Sequence, residues 1–173
     1  YTSKTLADPK KSDGDYVAFV NTTRTNMARR DPPPCLEDTD DRLITNSIDT
    51  FATDRRTAMA TDKTKYLAED AVVHEGLVNK WPFNAEKKTY PYWNGTLGTT
   101  VDAKYVGTED IDGLETYRYD VVVPETPAEV LAGTRGIYST SESIWIEPRT
   151  GSIINQTGGQ VLKLENGDTI LDI

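Results

Sequence analysis

Trp81, Phe83, Tyr90, Tyr92 and Trp93 fall within thirteen positions of a chain that is only 9% aromatic, and Lys80, Lys87 and Lys88 flank them. Rings with a polar handle suit ligands that are part apolar and part hydroxylated, such as sugars or lipid headgroups. The lysines add a basic cluster that an anionic headgroup can use. Trp81, Phe83, Lys88, Tyr90, Tyr92 and Trp93 are therefore the candidate ligand-binding set. The same spacing also fits rings that plug one end of a sheet while Pro82 and Pro91 fix the crossing and the lysines are simply solvated.

Bond-making chemistry has less to work with. His74 is the only histidine and Cys35 the only cysteine, so neither a multi-histidine metal site nor a structural zinc site can be assembled. A Ser-His-Asp or Cys-His nucleophile would have to run through His74, and His74-Glu75-Gly76 lacks the flanking pattern such sites use. Gly158-Gly159 precedes no Gly-Lys-Ser/Thr, so there is no phosphate loop. Glu37, Asp38, Asp40 and Asp41 are the densest carboxylates, and a suitably spaced pair could act on a glycosidic bond. Beside Pro32-Pro33-Pro34 they read as a solvated loop, and they lack the alternating ligands and glycine of a calcium loop. No catalytic, metal-ligating or cofactor-binding residue is assigned.

The elements that must position the aromatic segment read as mainly antiparallel β, with one or two short helices (α+β). The first fourteen residues are polar and end in a turn, and Asp15–Thr25 is a β-branched and aromatic strand. Arg29–Asp41 is a loop, Arg42–Thr53 a strand with Ile44, Asn46 and Ile48 on one face, and Arg55–Met59 its hairpin partner. Tyr66–Val73 is either a short helix or irregular. The prolines between Trp81 and Trp93 exclude a helix interior and a central strand. Beyond Asn94-Gly95 a meander is expected: strands Val101–Thr108, Leu114–Val123 and Ile137–Glu147, the second with Tyr117, Tyr119, Val121 and Val123 on one face. A helical turn is expected around Pro127–Leu131. Asp112-Gly113, Pro148–Gly151 and Asn166-Gly167 supply the turns. Ser152–Thr157 runs back, Gly158-Gly159 breaks or bulges it, and Gln160–Glu165 pairs with Asp168–Ile173.

With 173 residues the chain fits a single domain with a sizeable core. A net charge of −9 and a pI near 4.6 speak against nucleic acid, which calls for a basic stripe, and a mean hydropathy of −0.57 implies strands that are half-exposed. One cysteine leaves no internal disulfide. No apolar run approaches the roughly 18–20 residues of a membrane span. Tyr1 and Ile173 read as the ends of an excised domain whose anchor, if any, lies elsewhere. Three Asn-x-Thr triplets occur, at Asn21, Asn94 and Asn155, a frequent coincidence in a Thr-rich chain.

Several stretches carry a resemblance. They are Asp54-Arg55-Arg56-Thr57, His74-Glu75-Gly76-Leu77, Trp81-Pro82-Phe83 and Lys88 to Leu97 (Lys-Thr-Tyr-Pro-Tyr-Trp-Asn-Gly-Thr-Leu). Tyr105 to Glu109, Ile111-Asp112-Gly113-Leu114, Tyr117-Arg118-Tyr119 and Trp145 to Gly151 complete them. In that order they resemble a family of actinobacterial envelope proteins, largely of unknown function and sometimes labelled PorA family. The resemblance implies an extracytoplasmic domain between two transmembrane helices, one at each end, facing the periplasm or cell wall. It implies a divergent START-like helix-grip sheet and a role in lipomannan and lipoarabinomannan biosynthesis. The PorA label is not read as a channel, since an acidic domain of this polarity is not a transmembrane barrel. The expected function is a non-enzymatic domain that binds a glycolipid or lipoglycan precursor, or a membrane glycosyltransferase partner. The alternatives are a carboxylate-dependent glycan-processing enzyme and a pure scaffold.

Overall fold

The structure is a computed structural model, and it describes residues 2–26, 43–131 and 133–172. The chain forms two compact units, Tyr1–Ala52 with Thr61–Val73, and Thr53–Ala60 with His74–Ile173. Cys35, the triple proline and the carboxylates Glu37–Asp41 lie outside the described residues.

The first unit carries a three-stranded sheet in the order β1-β2-β3, built from β1 (Thr2–Asp8), β2 (Tyr16–Asn26) and β3 (Leu43–Asp54, whose last two residues belong to the second unit). β1 is a strand that hydrophobic patterning misses, because its side chains through Ala7 are exposed and only the antiparallel ladder, Thr2↔Arg24 to Asp8↔Ala18, defines it. The turn after it is held by polar side chains. Ser12 Oγ donates to the Asp8 carbonyl at 2.6 Å, and the Asp13 carboxylate accepts from the Asp15 and Tyr16 amides. Ala18, Ala52, Tyr66 and Leu67 form the small core, with Tyr16 against Tyr66 at 4.7 Å. Tyr66 closes a 3₁₀ turn, Thr64–Tyr66, and the chain to Val73 is irregular.

The second unit is a six-stranded antiparallel meander in the order β4-β5-β6-β7-β8-β9, with edges β4 and β9. Its strands are β4 (Tyr90–Asn94), β5 (Thr99–Ile111), β6 (Leu114–Leu131), β7 (Thr134–Glu147), β8 (Ser152–Leu164) and β9 (Thr169–Asp172). The Asp-Gly hairpin falls where expected: Asp112 (φ 53°) and Gly113 (φ 85°) both take positive φ between the paired Ile111 and Leu114. Tyr119, Val121 and Val123 are buried with Ile144 and Ile146 on the inner face, as the alternation along β6 requires.

Three expectations are corrected. Pro127–Leu131 is not a helical turn but the end of β6. Pairing with β5 stops at Ala103↔Val121, so beyond it β6 needs no amide on that side, and Pro124 sits in a bulge against β7. Gly158-Gly159 does not break the returning strand: both pair within continuous β8, where an added Cβ at Gly158 would meet the Ser141 carbonyl. The expected hairpin partner Arg55–Met59 is a turn at Arg55–Thr57, where Asp54 accepts the Arg56 and Thr57 amides, and only its end runs back on β3, with the Asp54 amide donating to the Met59 carbonyl at 2.9 Å and Thr53 bridging to Ala60. Among the described residues the 3₁₀ turn is the one helical element, and no helix is long and apolar enough to cross a membrane.

Candidate functional site

The segment between His74 and β4 has little regular structure, yet Trp81 in it is fully buried. Two turns hold it. In the first, Asp54 Oδ1 accepts the amides of Arg56 at 2.9 Å and Thr57 at 2.8 Å, which leaves the Arg56 carbonyl free to accept the Phe83 amide at 3.1 Å. In the second, the Glu147 carboxylate accepts the Arg149 and Thr150 amides at 2.8 Å and the Thr150 hydroxyl at 2.7 Å. That turn faces its carbonyls outward. Gly151 takes the Trp81 amide at 2.8 Å, Arg149 the Asn84 amide at 3.1 Å and Pro148 the Ala85 amide at 2.7 Å. Hydrogen bonds from Thr57 hold the Asp54 carboxyl below the usual carboxylate range, and those from Thr150 and Arg149 do the same for Glu147.

Pinned this way, the Trp81 ring stacks on Tyr92 at 5.4 Å and tilts against Tyr119 at 5.1 Å, over Ala103 and Val121. Among the described residues its indole N–H has no acceptor, at a cost of about 1–3 kcal/mol that burial of the ring must exceed. Tyr119 reaches past it to donate to the Glu86 carbonyl at 2.7 Å, and the Tyr90 hydroxyl accepts the Glu86 amide at 2.9 Å. Burial pushes the Tyr92 and Tyr119 hydroxyls well above the ordinary tyrosine range, so both stay neutral.

In front of this backing opens a cleft of about 440 Å³, walled by Arg56, Met59, Phe83, Lys88, Tyr90 and Pro91. Phe83 is 49% exposed and Lys80 Nζ lies 4.2 Å from its ring centroid; partial burial lowers the affinity of Lys80 for its proton. Lys88 Nζ sits 5.3 Å from the Tyr90 ring and 3.1 Å from Glu86, and Lys87 is 5.0 Å from Tyr117. Each lysine of the basic cluster thus rests on an aromatic face, a cation–π arrangement that keeps the ammonium beside apolar surface.

Of the six candidate residues, Phe83, Lys88 and Tyr90 meet in the cleft. Trp81 and Tyr92 are packing behind it, the plug that the aromatic spacing left open as an alternative. Trp93 does not line it; its ring packs on buried His74 at 4.5 Å. Arg56 and Met59 were not in the set. Arg56 belongs to the Asp54–Thr57 motif, and only the tertiary hydrogen bond to Phe83 brings it to the wall. Among the described residues no grouping of His, Cys, Asp and Glu could hold a metal ion, and none of the buried polar residues is a carboxylate.

Fold and site together define an antiparallel β protein in which an aromatic segment, clamped by two acid-organised turns, walls a cationic, half-apolar cleft. A family model described as Porin PorA matches residues 1–168, and the chain belongs to that family. A stretch of 49 residues, 28% of the chain, is 35% identical to a protein named Porin PorA from Corynebacterium amycolatum and covers 13% of that protein's length.

Proposed function

We propose that this chain is a cell-envelope binding protein whose Phe83 cleft takes the headgroup region of an anionic amphiphile, a glycolipid or lipoglycan precursor. The observation that carries the reading is the cleft itself: an exposed phenyl ring and two prolines beside Arg56 and Lys88, in a chain whose net charge is −9. The cations are a local exception to that charge, and guanidinium with ammonium suits a phosphate or carboxylate. Family membership supports an envelope location. The motif resemblance points further, to LmcA, a membrane protein of lipomannan and lipoarabinomannan maturation with a periplasm-facing START-like domain. On that reading the protein hands its ligand to membrane glycosyltransferases without carrying out chemistry itself. The family's name describes a pore; the sheet of the second unit is open at β4 and β9, and the reading here is of binding rather than passage. The scaffold alternative gives no reason for a lined cleft. The enzyme alternative needs two convergent carboxylates, whereas Glu86 is the carboxylate lining this one.

Binding is tested by co-sedimentation of the chain with vesicles containing phosphatidylinositol mannosides against neutral phosphatidylcholine vesicles. Retention on the anionic glycolipid is expected, with Phe83→Ala and the pair Arg56→Ala/Lys88→Ala each lowering it severalfold. Phe83 and Lys88 are exposed, so these variants keep the core, which replacing Trp81 would not. Equal retention on both vesicles, or retention unchanged in all variants, would overturn the proposal.

A further inference from the structure

Trp145 belongs to the motif that ends in the Glu147–Gly151 turn, but it points away from the core that this turn serves. Ile144 and Ile146 are buried on the inner face, so Trp145 and its cross-strand partner Arg118 lie on the outer one, with Asp120 and Ser143. Trp145 Nε1 donates to Glu109 Oε2 at 2.7 Å. Trp145 is on β7 and Glu109 on β5, two strand spacings apart, about 9.5 Å. The indole must therefore reach across β6 along the sheet surface rather than stand up from it. Thr116, next on β6, is fully buried although it is on the outer face, as expected for a residue beneath such a ring.

The ring is framed by polar groups already aligned. Arg118 Cζ lies 5.3 Å from the ring centroid, with Nε 3.0 Å from Asp120 Oδ1 and Nη1 3.4 Å from Glu109 Oε1. Ser143 Oγ donates to Asp120 Oδ1 at 2.8 Å and accepts from Arg118 Nη2 at 3.0 Å. Arg118, Glu109 and Asp120 keep side-chain exposures of 33%, 43% and 29%, so their remaining donors and acceptors can be reached. Asp120 also joins this frame to a trough of about 550 Å³ on β5 and β6, lined by Asp102, Lys104, Val106 and Val122. Three carboxylates against two cations leave the surface near neutral.

We propose that this outer face is a second binding site, distinct from the Phe83 cleft, for a neutral saccharide chain, with one pyranose packed against the Trp145–Arg118 pair and the next units following the trough past Asp120. The C–H face of a pyranose matches a flat indole. Its vicinal hydroxyls match fixed carboxylate–guanidinium pairs, which accept and donate side by side. An anion finds Glu109 and Asp120 in its way, and an apolar ligand strands them unpaired.

The test is an NMR titration of the full chain with neutral trisaccharides of gluco-, galacto- and mannopyranose. At least one is expected to give saturable shifts at the Trp145 indole N–H and at the Arg118, Asp120 and Ser143 amides, with the Trp81 indole unmoved. Trp145→Ala should weaken the apparent affinity at least tenfold, about 1.4 kcal/mol. Asp120→Asn, which keeps size and shape, should weaken it too, and it decides the matter if Trp145→Ala does not fold. No shift at Trp145 with any sugar at about 10 mM, too weak to count as a site, would overturn the proposal. Shifts confined to the Phe83 cleft, or affinity unchanged by Asp120→Asn, would overturn it equally.

Discussion

Gly151 shows how one residue can serve both the turn and the site. Its φ of +73° disfavours any side chain, and an added Cβ would also run into the Trp81 carbonyl, part of the segment the turn holds. Gly113 has a similar φ of +85° but nothing near its Cβ position. Gly113→Ala should therefore cost only left-handed strain, about 1 kcal/mol, whereas Gly151→Ala should cost roughly 3 kcal/mol or more, because either the turn or Trp81 has to move. Chemical denaturation of the two variants measures the difference, and equal losses would mean that the close approach is absorbed freely. The positive φ at Gly151 could be read from Pro148-Arg149-Thr150-Gly151 alone, since that spacing is local chemistry. The collision with Trp81 could not, because it depends on a partner far away in the chain.

The same contrast runs through the elements. Strands whose apolar alternation and turn residues agree, such as β5 to β7 around Asp112-Gly113, were legible in outline. β1 was not, because a strand with exposed side chains leaves no hydrophobic period, and neither was the end of β6, where two prolines argued for an interruption that a one-sided edge makes unnecessary. The crossing from Trp81 to Ala85 is the extreme case: aromatic enough to notice, but held by hydrogen bonds to turn carbonyls that no periodicity encodes. From these bonds we expect the amides of Trp81 and Ala85, bonded at 2.8 and 2.7 Å, to exchange as slowly as those of central strands, although they belong to no strand. The neighbouring Lys87 amide, for which no such bond is seen and whose residue is exposed, should exchange within the fast class. Hydrogen exchange followed by NMR reads this directly. Fast exchange at Trp81 would mean that the segment opens independently of the sheet, and the cleft would then lack a fixed wall.

At the scale of the whole chain the acidic balance and the turn carboxylates act together on stability. Asp54 and Glu147 organise the two turns behind the cleft, and Glu125 pairs with Lys163 Nζ at 2.6 Å; in all three the folded state lowers the carboxyl's proton affinity. A carboxyl whose folded value lies below its unfolded one stabilises fully above the unfolded value, near 4, and that contribution disappears as pH falls through the folded value. Stability should therefore hold from neutrality down to about pH 4.5 and then drop steeply. Below that, the nineteen Lys and Arg lose their acidic counterweight and add self-repulsion. Glu147→Gln separates the two causes. It removes a titrating turn acceptor while leaving the basic charge intact, so the variant should be less stable at pH 7 but show a shallower loss between pH 4.5 and 3. Thermal unfolding across that range, at an ionic strength of about 0.15 M to screen the surface, provides the comparison. Parallel curves for variant and parent would place the acid sensitivity in overall repulsion and leave the Glu147 turn without a share in it.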